Sequence, residues 1–173
     1  MESEKNFLPR PEKPEVLYHA SRSGNVEQFE PRDEKKRDET EQAQIFATPS
    51  KAMATVFLVD TDDSWTHSGA MDSVPYIVIS DRQRFEALDT GSYLYSLPSD
   101  SFESDPEKGL RELEYTSIEN VEPVGSEYIP SALNAMLENG VRVYFVDSEV
   151  WHSIETSHDG GEEIILGLEP FSK

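Results

Sequence analysis

The chain contains no cysteine, which excludes disulfides, thiolate metal sites and cysteine nucleophiles, and leaves its redox compartment unread. Positive charge is scarce: 15 Lys and Arg stand against 35 Asp and Glu, for a formal net charge of -20 at pH 7. Such an acidic surface repels phosphate backbones, because nucleic-acid binding relies on Lys and Arg displacing condensed counterions. Direct nucleic-acid backbone binding is therefore not expected, whereas docking on a basic protein is compatible with the charge. Long apolar runs are missing too, and none approaches the roughly 20 residues of a membrane-spanning helix. Met1 to Pro14 is polar and proline-broken, without the apolar core of a signal peptide. No membrane partner is expected, and the cytoplasm is the expected location.

Several motifs are also absent. The sequence holds no phosphate-binding loop, no Rossmann glycine fingerprint, no nucleophile elbow and no zinc-protease helix signature. Asp60-Thr61-Asp62-Asp63 lacks the glycine that a calcium loop needs at its sixth position, and Met71 stands where the bidentate glutamate belongs. His152, Glu155, His158 and Asp159 are read as a solvated loop, because their spacing suits neither a strand face nor one helix stripe. No metal is expected.

What is present fits one domain. At 173 residues the chain can bury roughly two-thirds of its unfolded surface. Residues 1–14, with Pro9, Pro11 and Pro14, predict a flexible tail before a single domain spanning 15–173. The mixed-charge stretch Glu30 to Glu39 predicts a surface loop.

Strands are expected at Val16 to Ala20, Gln44 to Ala47, Pro75 to Ser80, Gly91 to Pro98, Glu112 to Ser117, Val141 to Val146 and Glu163 to Leu168. The last two are joined through a turn at His158 to Gly161. One helix is expected from a Thr48 N-cap with Pro49 at its first position to about Val59. A second runs from Pro130 to Asn139, stopped by Gly140. Strands outnumber helices without regular alternation, so the class is α+β.

Three segments stand out together. Tyr18-His19-Ala20-Ser21 ends the first strand, Ile45-Phe46-Ala47 feeds a helix through Ser50-Lys51-Ala52, and Glu114-Tyr115-Thr116-Ser117 lies on a later, alternating strand that also carries Glu112. In order and spacing they resemble the His-Tyr-Glu branch of the ADP-ribosyltransferase superfamily, which includes diphtheria-type toxins and poly-ADP-ribose polymerases. The resemblance spans roughly residues 16 to 125. Ala20 stands where that family usually has glycine, and Ile45 where it has a stacking tyrosine.

The resemblance implies split antiparallel sheets with two or three helices, and NAD as the substrate bound between them. His19, Ala20, Ser21, Arg22, Phe46 and Ser50 would bind NAD, with His19 on the adenosine-side ribose, the Ala20 backbone on the carboxamide, Phe46 or a nearby aromatic on the nicotinamide and Arg22 near the pyrophosphate. Glu114, or Glu112 on the same strand face, would stabilise the oxocarbenium-like centre as the nicotinamide–ribose bond breaks. The outcome would be ADP-ribosyl transfer or NAD glycohydrolysis. The alternative is a catalytically inactive, acidic interaction module of the same fold that binds a basic protein.

Overall fold

Apolar runs bounded by turn residues decide most strand positions in the computed structural model, which describes residues 13–33, 39–105 and 107–173. The elements run β1 (Val16–Ser21), β2 (Ile45–Ala47), α1 (Lys51–Val56), β3 (Thr66–Met71), β4 (Val74–Ile79), α2 (Arg82–Leu88) and β5 (Ser92–Pro98). They continue with β6 (Glu103–Ser104), a 3-10 turn (Arg111–Leu113), β7 (Tyr115–Ser117), β8 (Gly125–Ile129), α3 (Ala132–Glu138), β9 (Arg142–Phe145), α4 (Ser148–Glu155) and α5 (Glu162–Leu166).

The strands form three three-stranded sheets, ordered β1-β5-β8, β2-β7-β6 and β3-β4-β9. The first two are antiparallel, while β9 lies parallel to β4 in the third. The class is α+β, but with three sheets and five α-helices among the described residues, where two or three helices were expected. The tail expected at 1–14 lies outside the described residues up to position 12, as do residues 34–38 of the mixed-charge stretch. Among the described residues no helix is long and apolar enough to cross a membrane.

Sheet β1-β5-β8 is the middle layer, because its strands alternate apolar side chains between two cores. Leu94, with Tyr18 and Ala20 at the margin, joins Met53, Leu58, Ile77, Ile79, Met136 and Val143 under α1 and α3. Leu17, Tyr95 and Leu97 point the other way, onto Ile45, Phe102 and Val121 beside the β2 sheet. A third cluster, including Val78, Tyr144, Ile154 and Ile165, fills the space between the third sheet and α4 and α5.

Several local expectations are corrected. The first helix is capped by Ser50, not Thr48: Met53 N donates to Ser50 Oγ at 3.1 Å, while Thr48 Oγ1 accepts from Ser50 N at 3.1 Å. That helix ends at Val56, three residues early, because Phe57 N and Leu58 N turn back to Ala54 O and Thr55 O in tighter bonds.

The strand expected at Glu163 to Leu168 is mostly helix. Asp159 accepts from Gly161 N and Glu163 N, each at 3.0 Å, and so starts a helical turn where a hairpin was expected. Ile164, Ile165 and Leu168 then share one face at helical spacing and pack into the third cluster. His152 and Glu155 likewise sit in α4, capped by Asp147, rather than in a loop. Strand β3, small and polar, follows from its hairpin: Asp72 and Ser73 both take positive φ, the type I′ pattern that usually announces itself with glycine.

Helix α3 runs as expected into Gly140, whose φ is 81°. A second cap on it is supplied from far along the chain. Asp89 Oδ1 accepts from Ala132 N at 2.6 Å and its Oδ2 from Leu133 N at 3.1 Å. Ala132 is buried, so its N–H has poor access to replacement water. Asp89→Ala is expected to cost about 2 kcal/mol and to lower Tm by roughly 4–8 °C in a thermal melt. A melt unchanged from wild type would show that α3 does not depend on this carboxylate.

Candidate functional site

Strand β1 is an edge strand, and it meets the second sheet through a single bridge. Tyr18 N donates to Thr48 O at 2.8 Å, and Thr48 N returns a bond to Tyr18 O at 3.0 Å. Along this edge lies a cavity of about 440 Å³. Its walls include Tyr18, His19 and Ala20 from β1, Phe46 and Ala47 from β2, Phe57 after α1, Ser68 on β3, and Leu110, Leu113 and Glu114.

His19 is held from two directions. Its Nδ1 donates to the Phe46 carbonyl oxygen at 2.6 Å, which ties β1 to β2 and places the other ring nitrogen, Nε2, away from that bond. The imidazole also meets the Phe29 ring edge-on at 4.7 Å, and Phe29 in turn meets Tyr95 at 5.0 Å. Tyr95 is buried, with its hydroxyl donating to Ser23 O at 2.7 Å and accepting from Val26 N at 3.1 Å. A chain of three rings thus connects the cavity to the second core.

Glu112 and Glu114 do not share a strand face. Leu113 N donates to Leu110 O and Glu114 N to Arg111 O, both at 3.1 Å, so residues 111–113 wind into a 3-10 turn. The cause is apolar spacing of three: Leu110 and Leu113 both pack towards the main core and both line the cavity. Glu112 is thrown outward and exposed, whereas Glu114 is extended, half-buried and part of the cavity wall. Its carboxylate lies against Gly109, whose φ is 56° and where a Cβ would occupy the space of the carboxylate. Only glycine fits that approach without pushing the side chain aside.

Three other expected site residues lie off the cavity wall. Arg22 is exposed past the end of β1, with Nη1 donating to Leu88 O at 3.0 Å and Nη2 to Thr90 Oγ1 at 2.9 Å. Ser50 spends its hydroxyl on the α1 cap. Ser21 Oγ accepts from Ser23 N at 3.2 Å.

The wall contributed by Asp60, Thr61, Asp62 and Asp63 was not anticipated as part of a site. It arrives because α1 stops early and the chain turns back past the cavity before β3. Asp62 Oδ1 accepts from Ser64 N at 2.8 Å and from Ser64 Oγ. The hydroxyl bond first, then the backbone bond, hold its carboxyl below the usual carboxylate range. It is therefore ionised at neutral pH. The one legible signal was the loss of helical periodicity after Val59, next to a run of short acidic residues. Among the described residues, no group of three or more His, Asp or Glu is placed to hold a metal ion.

No protein-family model, no curated protein and no solved structure matches this chain. The functional reading therefore rests on the cavity's own chemistry: a hydrogen-bonded imidazole, aromatic rings and a half-buried carboxylate around a space of ligand size.

Proposed function

We propose that this protein is a divergent ADP-ribosyltransferase-like enzyme that cleaves the nicotinamide–ribose bond of NAD and passes ADP-ribose to an acceptor or to water. The observation that supports it is convergence: His19, Ala20, Phe46 and Glu114, from three separate segments, line one cavity. In this reading the Phe46 ring packs on the nicotinamide, and His19, its Nδ1 engaged by Phe46 O, presents Nε2 to a ribose hydroxyl. Glu114 lies beside the anomeric carbon and offsets the positive charge that builds as the bond to nicotinamide lengthens. The electron pair of that bond leaves with nicotinamide. Arg22, Ser21, Ser50 and Glu112 have no part in it, and a cytoplasmic location belongs to the same proposal.

Isothermal titration with NAD, paired with a chromatographic assay for released nicotinamide, tests the reading. Saturable heat and steady nicotinamide release are expected. Neither binding nor release at millimolar NAD would end it.

The net charge of -20 favours a second reading, an acidic module of the same fold that docks on a basic protein. Such docking would weaken as salt rises. Salt-insensitive association with basic proteins would reject it.

A further inference from the structure

Backbone bonding along the middle sheet alternates from residue to residue, and the alternation leaves one strand open on its outer side. Tyr18 gives its N–H and its carbonyl to Thr48, so Leu17, His19 and Ser21 are the β1 residues that bond β5, at Leu97, Tyr95 and Tyr93. Ser92, Leu94 and Ser96 then face β8, where they meet Ile129, Glu127 and Gly125. Val124 N donates to Ser96 O at 2.8 Å, as that phase requires. Ser126 and Tyr128 therefore point their N–H and C=O groups away from the sheet. Among the described residues no strand pairs with β8 on that side, and no side chain bonds these groups. The side chains there are open but not loose. Tyr128 is 55% exposed, yet its ring meets Tyr93 at 5.2 Å and its hydroxyl lies against Gly91, where a Cβ would collide with it. A tyrosine fixed in place and still open to solvent loses little freedom when it is covered. Val124 is exposed at the start of the strand, and Glu127, on the face opposite Tyr128, shares its exposed carboxylate with Lys51 at 3.3 Å.

Resting on the reading that the chain docks on a basic protein, we infer that β8 is the docking edge, to which an extended basic segment of the partner adds as a fourth strand. Ser126 and Tyr128 exchange backbone bonds with that segment. A Lys or Arg of the segment lies over the Tyr128 ring, and the next residue, on the other face, reaches Glu127. A second copy of this chain is the poorer occupant. Self-pairing through both Ser126 and Tyr128 sets Glu127 against its own counterpart, on chains that each carry a net charge of -20. Since β8 borders β5 on the side away from β1, the cavity stays open while the edge is filled.

The test follows the fluorescence anisotropy of a short labelled peptide of repeating valine-lysine-arginine as the full chain is added at low salt. Saturable binding is expected. Methylating every peptide nitrogen removes the strand bonds and keeps the charge, and is expected to weaken binding about tenfold or more. Ser126→Pro is expected to do the same, because the N–H it removes points outward, a position where an edge strand accepts proline and β8 keeps its pairing with β5. Tyr128→Ala is expected to weaken binding about threefold or more. Equal binding of the methylated peptide, or binding unchanged in Ser126→Pro, means attraction by charge alone; it overturns the inference and leaves the docking reading standing. No binding of the basic peptide overturns the inference, as does equally tight binding of a peptide with glutamate in place of lysine and arginine. Self-association in sedimentation that Ser126→Pro abolishes also overturns it and assigns the edge to a second copy. Association with basic proteins that salt does not weaken removes the docking reading and this inference together.

Discussion

Glu114→Gln is expected to reduce nicotinamide release by about 10²–10³-fold, the usual loss when one preorganised charge-stabilising group is removed from a reacting centre. The amide matches the carboxylate in shape, so the space beside Gly109 remains filled. What disappears is the negative charge opposite a developing cation. Stability is expected to change by less than about 1 kcal/mol, since the side chain is half-buried rather than in the core. Glu112→Gln is the internal control: its side chain is exposed on the 3-10 turn and does not line the cavity, so its kinetics are expected to match wild type. Equal losses in both variants, or none in Glu114→Gln, would remove Glu114 from the proposed chemistry.

Tyr95→Ala is expected to have the largest effect on stability, about 3–5 kcal/mol in urea unfolding. The ring is 1% exposed and packs in the second core with Leu17, Ile45 and Phe102. Its loss also leaves Val26 N and Ser23 O without the hydroxyl that serves both. Tyr95→Phe separates the two contributions. It keeps the ring and is expected to cost about 1–3 kcal/mol for the two stranded backbone groups. Because Phe29 leans on Tyr95 and His19 on Phe29, the alanine variant is also expected to weaken ligand binding in whatever fraction remains folded. A ΔΔG below about 1 kcal/mol for the alanine variant would contradict this account of the second core.

The elements legible in the sequence are those in which local pattern and tertiary burial agree. The apolar run at Pro75 to Ser80 became β4, buried along nearly its whole length, and the residues between Pro130 and Gly140 became α3 with its expected end. Where they disagree, the pattern misleads. Ile164 and Ile165 are adjacent and β-branched, as a strand would have them, but Asp159 starts a helix there and the third core receives one face of it. The alternation Glu112-Leu113-Glu114 looked like a strand until Leu110 is counted, and a spacing of three then matches the turn. At the site, His19, Ala20 and Phe46 were legible because they lie in short strands with strong local character. Asp60, Asp62 and Asp63 reach the same cavity by a loop whose path depends on where α1 stops, and no pattern within the loop encodes that. Arg22 and Ser50 are adjacent in sequence to the right segments, yet the Arg22 side chain is committed to Leu88 O and Thr90 Oγ1 far along the chain and that of Ser50 to the α1 cap.

His19 lies in β1 and Glu114 directly before β7, and β2, whose Phe46 carbonyl fixes the imidazole, lies at the edge of the order β2-β7-β6, beside β7. During synthesis the β1–β5 pairing needs the chain only as far as residue 98. β2 must wait for residues 115–117, which arrive together with the carboxylate itself. Both pairings join residues about 70–80 positions apart, and such long-range contacts close slowly. An N-terminal fragment that stops before Glu114 therefore lacks one wall of the pocket, and a nascent chain carries its histidine for much of its elongation before that wall is made.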